Sequence, residues 1–403
     1  MALSARRIAI AILVAALAIR VAWVFATPDY RLVHDALDYN RHAISIANGH
    51  GFALSYGRET AFRPPAYPIF LAAVYWIFGP SLEWARLANA LVGTGIVALI
   101  GVISLQVWNQ RVALIAMALG AVYIPLILVG QSVMSEPLFV LCMLGAIACA
   151  LRGWALAAGV LMGLAVLGRA NALILLLPLA WAVWKGPKPA LIMIVAAALT
   201  VIPWTIRNYV VLDQFVPVST QLGSALAGTY NSEAMNNPDN PAAWMSLKRV
   251  DDYRPIFNRV RETNEAVLEK QLRSASLDYI KAHPGAPLKV AWWTSRRMLD
   301  LGGWDWAIHT AGTVSAGKKA GAAGIICFWL FAILAVIGAF TRRAREAPLW
   351  LWSIPLLMYL GVVFLVVETP RYRMAIDPFV IMLAALAISA IAGKLTRGPA
   401  RPS

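Results

Sequence analysis

The sequence predicts an all-α polytopic membrane protein: about ten transmembrane helices, with interfacial helices in a first outer loop and a larger second outer segment. Three observations predict it. Of 403 residues, 60% are hydrophobic and only 14% are charged, too apolar a balance for a water-exposed globular chain. The apolar residues fall in repeated runs close to bilayer length. The basic residues behind the net charge of +15 cluster at the ends of those runs. That placement fits topology and anionic headgroups, so membrane lipids are the expected partners and nucleic acid is not.

Cysteine usage adds no framework. Cys142, Cys149 and Cys327 all lie inside apolar runs. Cys142 and Cys149 stand two helical turns apart, about 10 Å along the axis, too far for a disulfide.

The first run, 8–26, follows Arg6-Arg7. Val24-Phe25-Ala26 could end a signal peptide, but Arg20 interrupts the run and further spans follow, which favours an uncleaved anchor. Arg6-Arg7 place the N-terminus in the cytoplasm and the next loop outside. Two readings of Arg20 stand: it snorkels to the interface, or it meets an anion in an outer cavity.

The first outer loop, 27–86, is the polar island of the chain. It holds three of the five His residues, the acids Asp35 and Asp38, and Arg63-Pro64-Pro65. Residues 35–48 have apolar positions at helical spacing (Ala36, Tyr39, Ala43), which predicts an amphipathic helix. Asp35 then has a plain role as N-cap and Asp38 as an acid of the first turn. Pro64-Pro65 ends that structure, and 67–78 is too short to span, so it is expected at the interface.

Treating 67–78 as non-spanning puts Arg111, Arg152, Lys185 and Lys188 on the cytoplasmic side of spans at 87–107, 112–129, 134–151, 153–167, 172–184 and 190–206. The hairpin of two short spans in 153–184, around Gly168-Arg169-Ala170-Asn171, follows from the same rule. The outer segment 207–319 carries turn signals at Gly223, Gly228 and Asn236-Asn237-Pro238. Within it, 255–282 reads as one long amphipathic helix ended by His283-Pro284-Gly285. Spans at 320–340, 348–367 and 374–392 complete the chain, with Arg342, Arg343, Arg345 and the tail cations Arg397 and Arg401 inside. Both termini are then cytoplasmic. No internal repeat is evident.

This topology gathers Asp35, Asp38, Arg63, Glu136, Arg169, Arg207, Glu368, Arg371 and Arg373 on one face. Each alone reads equally as an interfacial anchor; their convergence is what points to a site. A carboxylate in a half-enclosed cavity can take a proton from an acceptor, and arginines can hold a phosphate leaving group. A transporter or lipid flippase is the alternative, but no span carries a carboxylate at mid-depth and no inverted repeat is evident.

Asp35-x-x-x-Tyr39 with Gly49, Gly51-Phe52 and Arg63-Pro64-Pro65-Ala66-Tyr67-Pro68 resembles the first outer loop of GT-C glycosyltransferases. The nearest groups are the protein O-mannosyltransferase and lipid A aminoarabinose-transferase-like enzymes. The likeness continues through Ser135-Glu136-Pro137, Gly168-Arg169, Pro203-Trp204-x-x-Arg207-Asn208 and Pro370-Arg371-Tyr372-Arg373. It implies transfer of a sugar, with inversion, from a polyprenyl-phosphate carrier to an outer-face acceptor. The family's essential acid maps onto Asp35 as the catalytic residue, and its cation before Pro-Pro onto Arg63 at the carrier phosphate. Tyr39, Asp38, Glu136, Arg207, Arg371 and Arg373 are the further expected substrate-binding residues. Many relatives carry a second acid directly after the first; here that position is Ala36, which leaves a divalent metal an open expectation. Acceptor recognition is expected in 207–319.

Overall fold

The protein's structure, a computed structural model, describes residues 3–53, 57–259, 262–314, 317–364 and 370–395. Glu368, Val367, Arg397 and Arg401 lie outside the described residues. Regular structure among the described residues is helical, apart from a single antiparallel bridge between Ala53 and Glu59.

Helix α1 (Leu3–Ala26) leads to α2 (Asp35–Ala47), α3 (Ala66–Phe78) and α4 (Leu82–Val107). A bent pair follows, α5 (Gln110–Val122) and α6 (Ile124–Gly130), then α7 (Glu136–Leu151) and α8 (Ala155–Gly168). A 3-10 segment, Ala170–Leu175, leads into α9 (Leu176–Ala182) and α10 (Pro187–Leu212). Between α10 and the next long helix lie α11 (Gln221–Thr229), α12 (Ser232–Met235), α13 (Arg254–Asn258), α14 (Glu265–Ala282), α15 (Ala286–Met298) and α16 (Trp304–Ala311). The chain closes with α17 (Lys318–Ala339), α18 (Leu349–Val363), a 3-10 segment Pro370–Ala375 and α19 (Asp377–Leu395).

Local sequence explains the helix starts. Ser81 and Asn109 accept backbone N–H groups at the beginnings of α4 and α5. Pro187 and Pro137 stand in the first turns of α10 and α7, where no intrahelical N–H is needed. Small residues then let helices approach. Gly163 of α8 faces Ala197 and Thr200 of α10, where an added Cβ would lie 2.8 Å from the Ala197 carbonyl and 2.6 Å from Thr200 Cβ. Gly159 meets the Met193 carbonyl in the same way, and Gly338 of α17 meets Leu383 of α19. Such backbone-to-backbone contact is how apolar helices associate where burial gives no drive. A shared core of Phe139, Ile147, Met162 and Phe379 joins α7, α8 and α19.

Among the described residues, α1, α4, α10 and α17 are long and apolar enough to cross a membrane, and α5 with α6 makes a fifth if the bent pair is one span. Helices α7, α8, α18 and α19, with the Ala170–Ala182 stretch, are apolar but shorter. Helix α3, with 13 residues, reaches about 20 Å at 1.5 Å per residue, short of a hydrocarbon core of about 30 Å. It packs on α2 and α4.

Four expectations change. The run 112–129 is not straight: it bends by 56° between α5 and α6. Pro125 has no N–H for the Ala121 carbonyl, and a kink follows. Arg20 supplies the missing donors, with Nη1 3.3 Å from Ala121 O and Nη2 3.3 Å from Gly120 O. Arg20 is fully buried, so it neither snorkels nor faces an outer cavity. The single amphipathic helix expected over 255–282 is two: α13 stops at Asn258, and Asn264 starts α14 afresh by accepting Ala266 N–H at 2.9 Å. Asp35 is not an N-cap either. It is the first residue of α2, His34 before it has φ 47°, and no side chain caps the helix.

Candidate active site

Asp35 is free to turn elsewhere because it does not cap its own helix. Its carboxylate accepts from Arg63 Nη2 at 2.8 Å through Oδ1 and from Arg371 Nη2 through Oδ2. Asp38, one turn later on the same face, takes Arg63 as well, at 2.6 Å from Nη2 and 3.2 Å from Nε. Pro64-Pro65 fixes the chain beside Arg63 and starts α3, whose Tyr67 packs edge-on against Tyr39 at 5.5 Å. Arg63 itself lies over the Tyr39 ring, 5.4 Å from its centroid.

Behind this pair lies Glu136, the first residue of α7, where a helix N-terminus favours a negative charge. Arg169, at the end of α8, reaches Glu136 Oε1 at 2.8 Å, and Arg371 Nε lies 3.5 Å from the same oxygen. Arg169 and Arg371 stack on the Tyr372 ring at 4.4 and 4.8 Å. Tyr39 Oη and Ser135 Oγ share a hydrogen bond of 3.0 Å. The cluster therefore contains Asp35, Asp38 and Glu136 against Arg63, Arg169 and Arg371, a balanced set.

Exposure sorts the acids. The Glu136 side chain is 4% exposed, whereas Asp35 and Asp38 are 25% and 33%. Only the latter two can meet an incoming group. Burial alone would push the Asp35 carboxyl up, but Arg371 and Arg63 outweigh it and hold the group well below the usual carboxylate range. Burial pushes the Tyr39 phenol up to about 12, so it stays neutral at physiological pH.

Not every expected residue joins this cluster. Arg207 donates to Thr60 O at 2.6 Å and Phe52 O at 3.0 Å, and pairs with Glu59 at 3.2 Å. With Trp204 Nε1 and Asn208 Nδ2 donating to Val218 O and Val216 O, the Pro203-Trp204-x-x-Arg207-Asn208 run ties the first loop and the chain after α10 to one helix end. Arg373 turns away from Arg371, toward Met298 O at 2.5 Å, Asp300 at 3.0 Å and Asp377 at 3.2 Å. It anchors the loop after α15 to α19.

Sequence reasoning missed Glu265, which accepts from Thr60 Oγ1 at 2.6 Å and Ala61 N–H at 2.5 Å and so docks α14 onto the loop before Arg63. A lone acid at a helix start reads as a dipole partner and carries no further signal. It also missed Met134, whose Sδ lies 3.1 Å from Arg371 Nη1.

A cavity of about 60 Å³ opens between α6, α16 and α17. Leu128, Val129, Ala311 and Ile325 line it, and Arg371, Arg373, Asp300 and Asp377 stand among its polar lining residues. Arg371 thus belongs both to the cavity and to the Asp35 cluster. Among the described residues, no three His, Cys, Asp or Glu side chains are grouped to hold a metal ion. Ala36 is fully buried among Tyr39, Ala43 and Tyr67, an apolar setting for the position after Asp35.

The chain is similar in structure to the archaeal oligosaccharyltransferase AglB from Archaeoglobus fulgidus, in complex with an inhibitory peptide and a dolichol-phosphate. The TM-score is 0.56 at 14% identity, covering 98% of this chain and 52% of AglB. The apo form of the Archaeoglobus fulgidus oligosaccharyltransferase gives the same score and identity over 96% of this chain and 51% of that one. ArnT from Cupriavidus metallidurans, bound to undecaprenyl phosphate, aligns at TM-score 0.40 and 14% identity over 96% of this chain and 80% of ArnT. The chain shares its fold with AglB and spans about half of AglB's length. No protein-family model and no curated protein matches the sequence.

Proposed function

We propose that the protein is a glycosyltransferase that moves a sugar from a polyprenyl-phosphate carrier to an acceptor on the outer face of the membrane, with inversion. The observation that carries this reading is Asp35, a partly open carboxylate held between Arg63 and Arg371 in a chain of GT-C-like fold. The dolichol-phosphate bound to AglB supports the class of carrier. The cavity beside Arg371 supports it from this chain's own residues, since its apolar walls reach the Arg371 guanidinium, which suits a lipid phosphate, while Arg373 is paired with Asp300 and Asp377.

In this reading Asp35 takes the proton of the acceptor hydroxyl as its oxygen attacks the anomeric carbon. The bond from that carbon to the phosphate oxygen breaks, and the electron pair leaves on the lipid phosphate. Arg63 and Arg371 hold the charge that develops there. Asp38 keeps Arg63 aligned, Glu136 with Arg169 backs Arg371, and Tyr39 shapes the floor under Arg63. Arg207 and Arg373 hold the loops that bring these groups together. The donor set does not fit a divalent cation, because Asp35 and Asp38 both turn to Arg63 and Ala36 supplies no oxygen. The shorter apolar helices complete about ten crossings with both termini cytoplasmic, and 207–319 meets the acceptor.

The test is transfer by the purified protein in nanodiscs supplied with polyprenyl lipid-linked sugars and an envelope extract as acceptor. Loss of a positioned base costs about 10²–10⁴-fold, so Asp35→Asn should show that loss while staying folded. Full activity in that variant would remove Asp35 from the chemistry.

A further inference from the structure

Arg371 is tied to Asp35 by part of its fork only. Its Nη2 serves the Asp35 carboxylate and the Tyr372 hydroxyl at 2.8 Å. Its Nη1 has the weak thioether acceptor of Met134, and its Nε stands 3.5 Å from Glu136 Oε1, an ion pair without a hydrogen bond. Arg63 is committed differently: Nε and Nη2 both hold Asp38, and Nη2 also reaches Asp35. Of the two cations on Asp35, Arg63 is fastened to Asp38 as well, and Arg371 is the one that lines the cavity.

We propose that Arg371 is a cation shared in turn between two anions: without donor it locks Asp35, and the arriving carrier phosphate draws it off, freeing a carboxylate oxygen for the acceptor. The inference rests on the glycosyl-transfer reading and adds to it an order of events, donor before base.

Charge and burial make the exchange feasible. The resting cluster is balanced, three acids against three arginines, so an added phosphate needs cationic donors that are already engaged. When Arg371 moves toward the phosphate, Asp35 keeps Arg63 at 2.8 Å and Glu136 keeps Arg169 at 2.8 Å. No buried acid is stranded, which is the usual obstacle to breaking a buried pair. The exchange also answers a chemical difficulty. A carboxylate held by two guanidinium groups is a weak base, far from the proton affinity that suits general-base work near neutral pH. Release of one of them raises its basicity when the donor is in place.

The test is equilibrium binding of undecaprenyl phosphate, the carrier without a sugar, to the purified full-length protein in nanodiscs, read by microscale thermophoresis. If Asp35 competes for Arg371, Asp35→Asn binds the lipid about tenfold more tightly, the worth of one charge-assisted hydrogen bond. Asp35→Ser carries the same expectation and serves if the Asn variant does not fold. Asp38→Asn, which removes the same charge but no contact with Arg371, should change affinity by at most about threefold. In an Arg371→Gln background the gain from Asp35→Asn should vanish, because the coupling runs through Arg371. Unchanged or weaker binding by both Asp35 variants would overturn the lock, and so would equal tightening by Asp38→Asn; either result leaves the transferase reading standing. Failure of the wild type and every variant to bind the lipid would instead contradict that reading, and the lock with it.

Discussion

At the scale of single residues, the burial of Asp35 and the two guanidinium groups beside it act in opposite directions, and the arginines win. The sign has a measurable result. A carboxyl whose value is lowered in the folded state adds stability that is fully present above the ordinary carboxylate value and is lost as pH falls toward the lowered one. The melting temperature of the detergent-purified wild type should therefore fall between about pH 5 and pH 3. Arg371→Gln, with one guanidinium fewer on Asp35, should fall less over the same interval. Parallel curves would mean that Arg371 does not set the charge of this cluster. Arg20 shows the same rule without chemistry: a charge in an apolar helix is tolerated because three carbonyls, those of Ala16, Gly120 and Ala121, receive it.

At the scale of helices, close packing rather than propensity sets the arrangement. Gly159 and Gly163 stand four residues apart on α8 and lie against the backbone of α10. Gly159→Leu should force that pair apart and cost about 3 kcal/mol or more, as overpacked sites do. The check is the melting temperature and the monodisperse yield against Gly361→Ala, whose added Cβ meets nothing within 4 Å and should be neutral or slightly favourable. A Gly159→Leu protein as stable as Gly361→Ala would show that α8 and α10 do not rely on this contact. Most helices were legible as apolar runs, and the polar loop helix α2 was legible from its spacing of Ala36, Tyr39 and Ala43. The bend at Pro125 was less so, because a proline in an apolar run can kink a helix or open one. The break between α13 and α14 hid behind an apolar stripe that continues across it, while the interrupting signal is a single Asn264. Glu265 could not be read at all, since its partners at Thr60 and Ala61 lie some two hundred residues away.

At the scale of the whole molecule, α2, the loop before α3, the start of α7, the end of α8 and the segment Pro370–Ala375 converge on one cluster, while α6, α16 and α17 surround the cavity that reaches Arg371. Asp35, Asp38, Arg63, Glu136 and Arg371 were legible as polar residues stranded between apolar runs. That Arg207 and Arg373 serve neighbouring loops was not, because sequence shows which charges are costly in an apolar chain but not which partner each one finds. Transfer of a sugar from a polyprenyl-phosphate carrier is tested by mass spectrometry of envelope lipids and glycans from cells lacking the protein, restored with wild type or with Asp35→Asn. A polyprenyl-phosphate-linked sugar should accumulate in the deleted cells together with loss of one glycan substituent, both reversed by wild type and not by Asp35→Asn. Unchanged lipids and glycans in the deleted cells, or full restoration by Asp35→Asn, would contradict it.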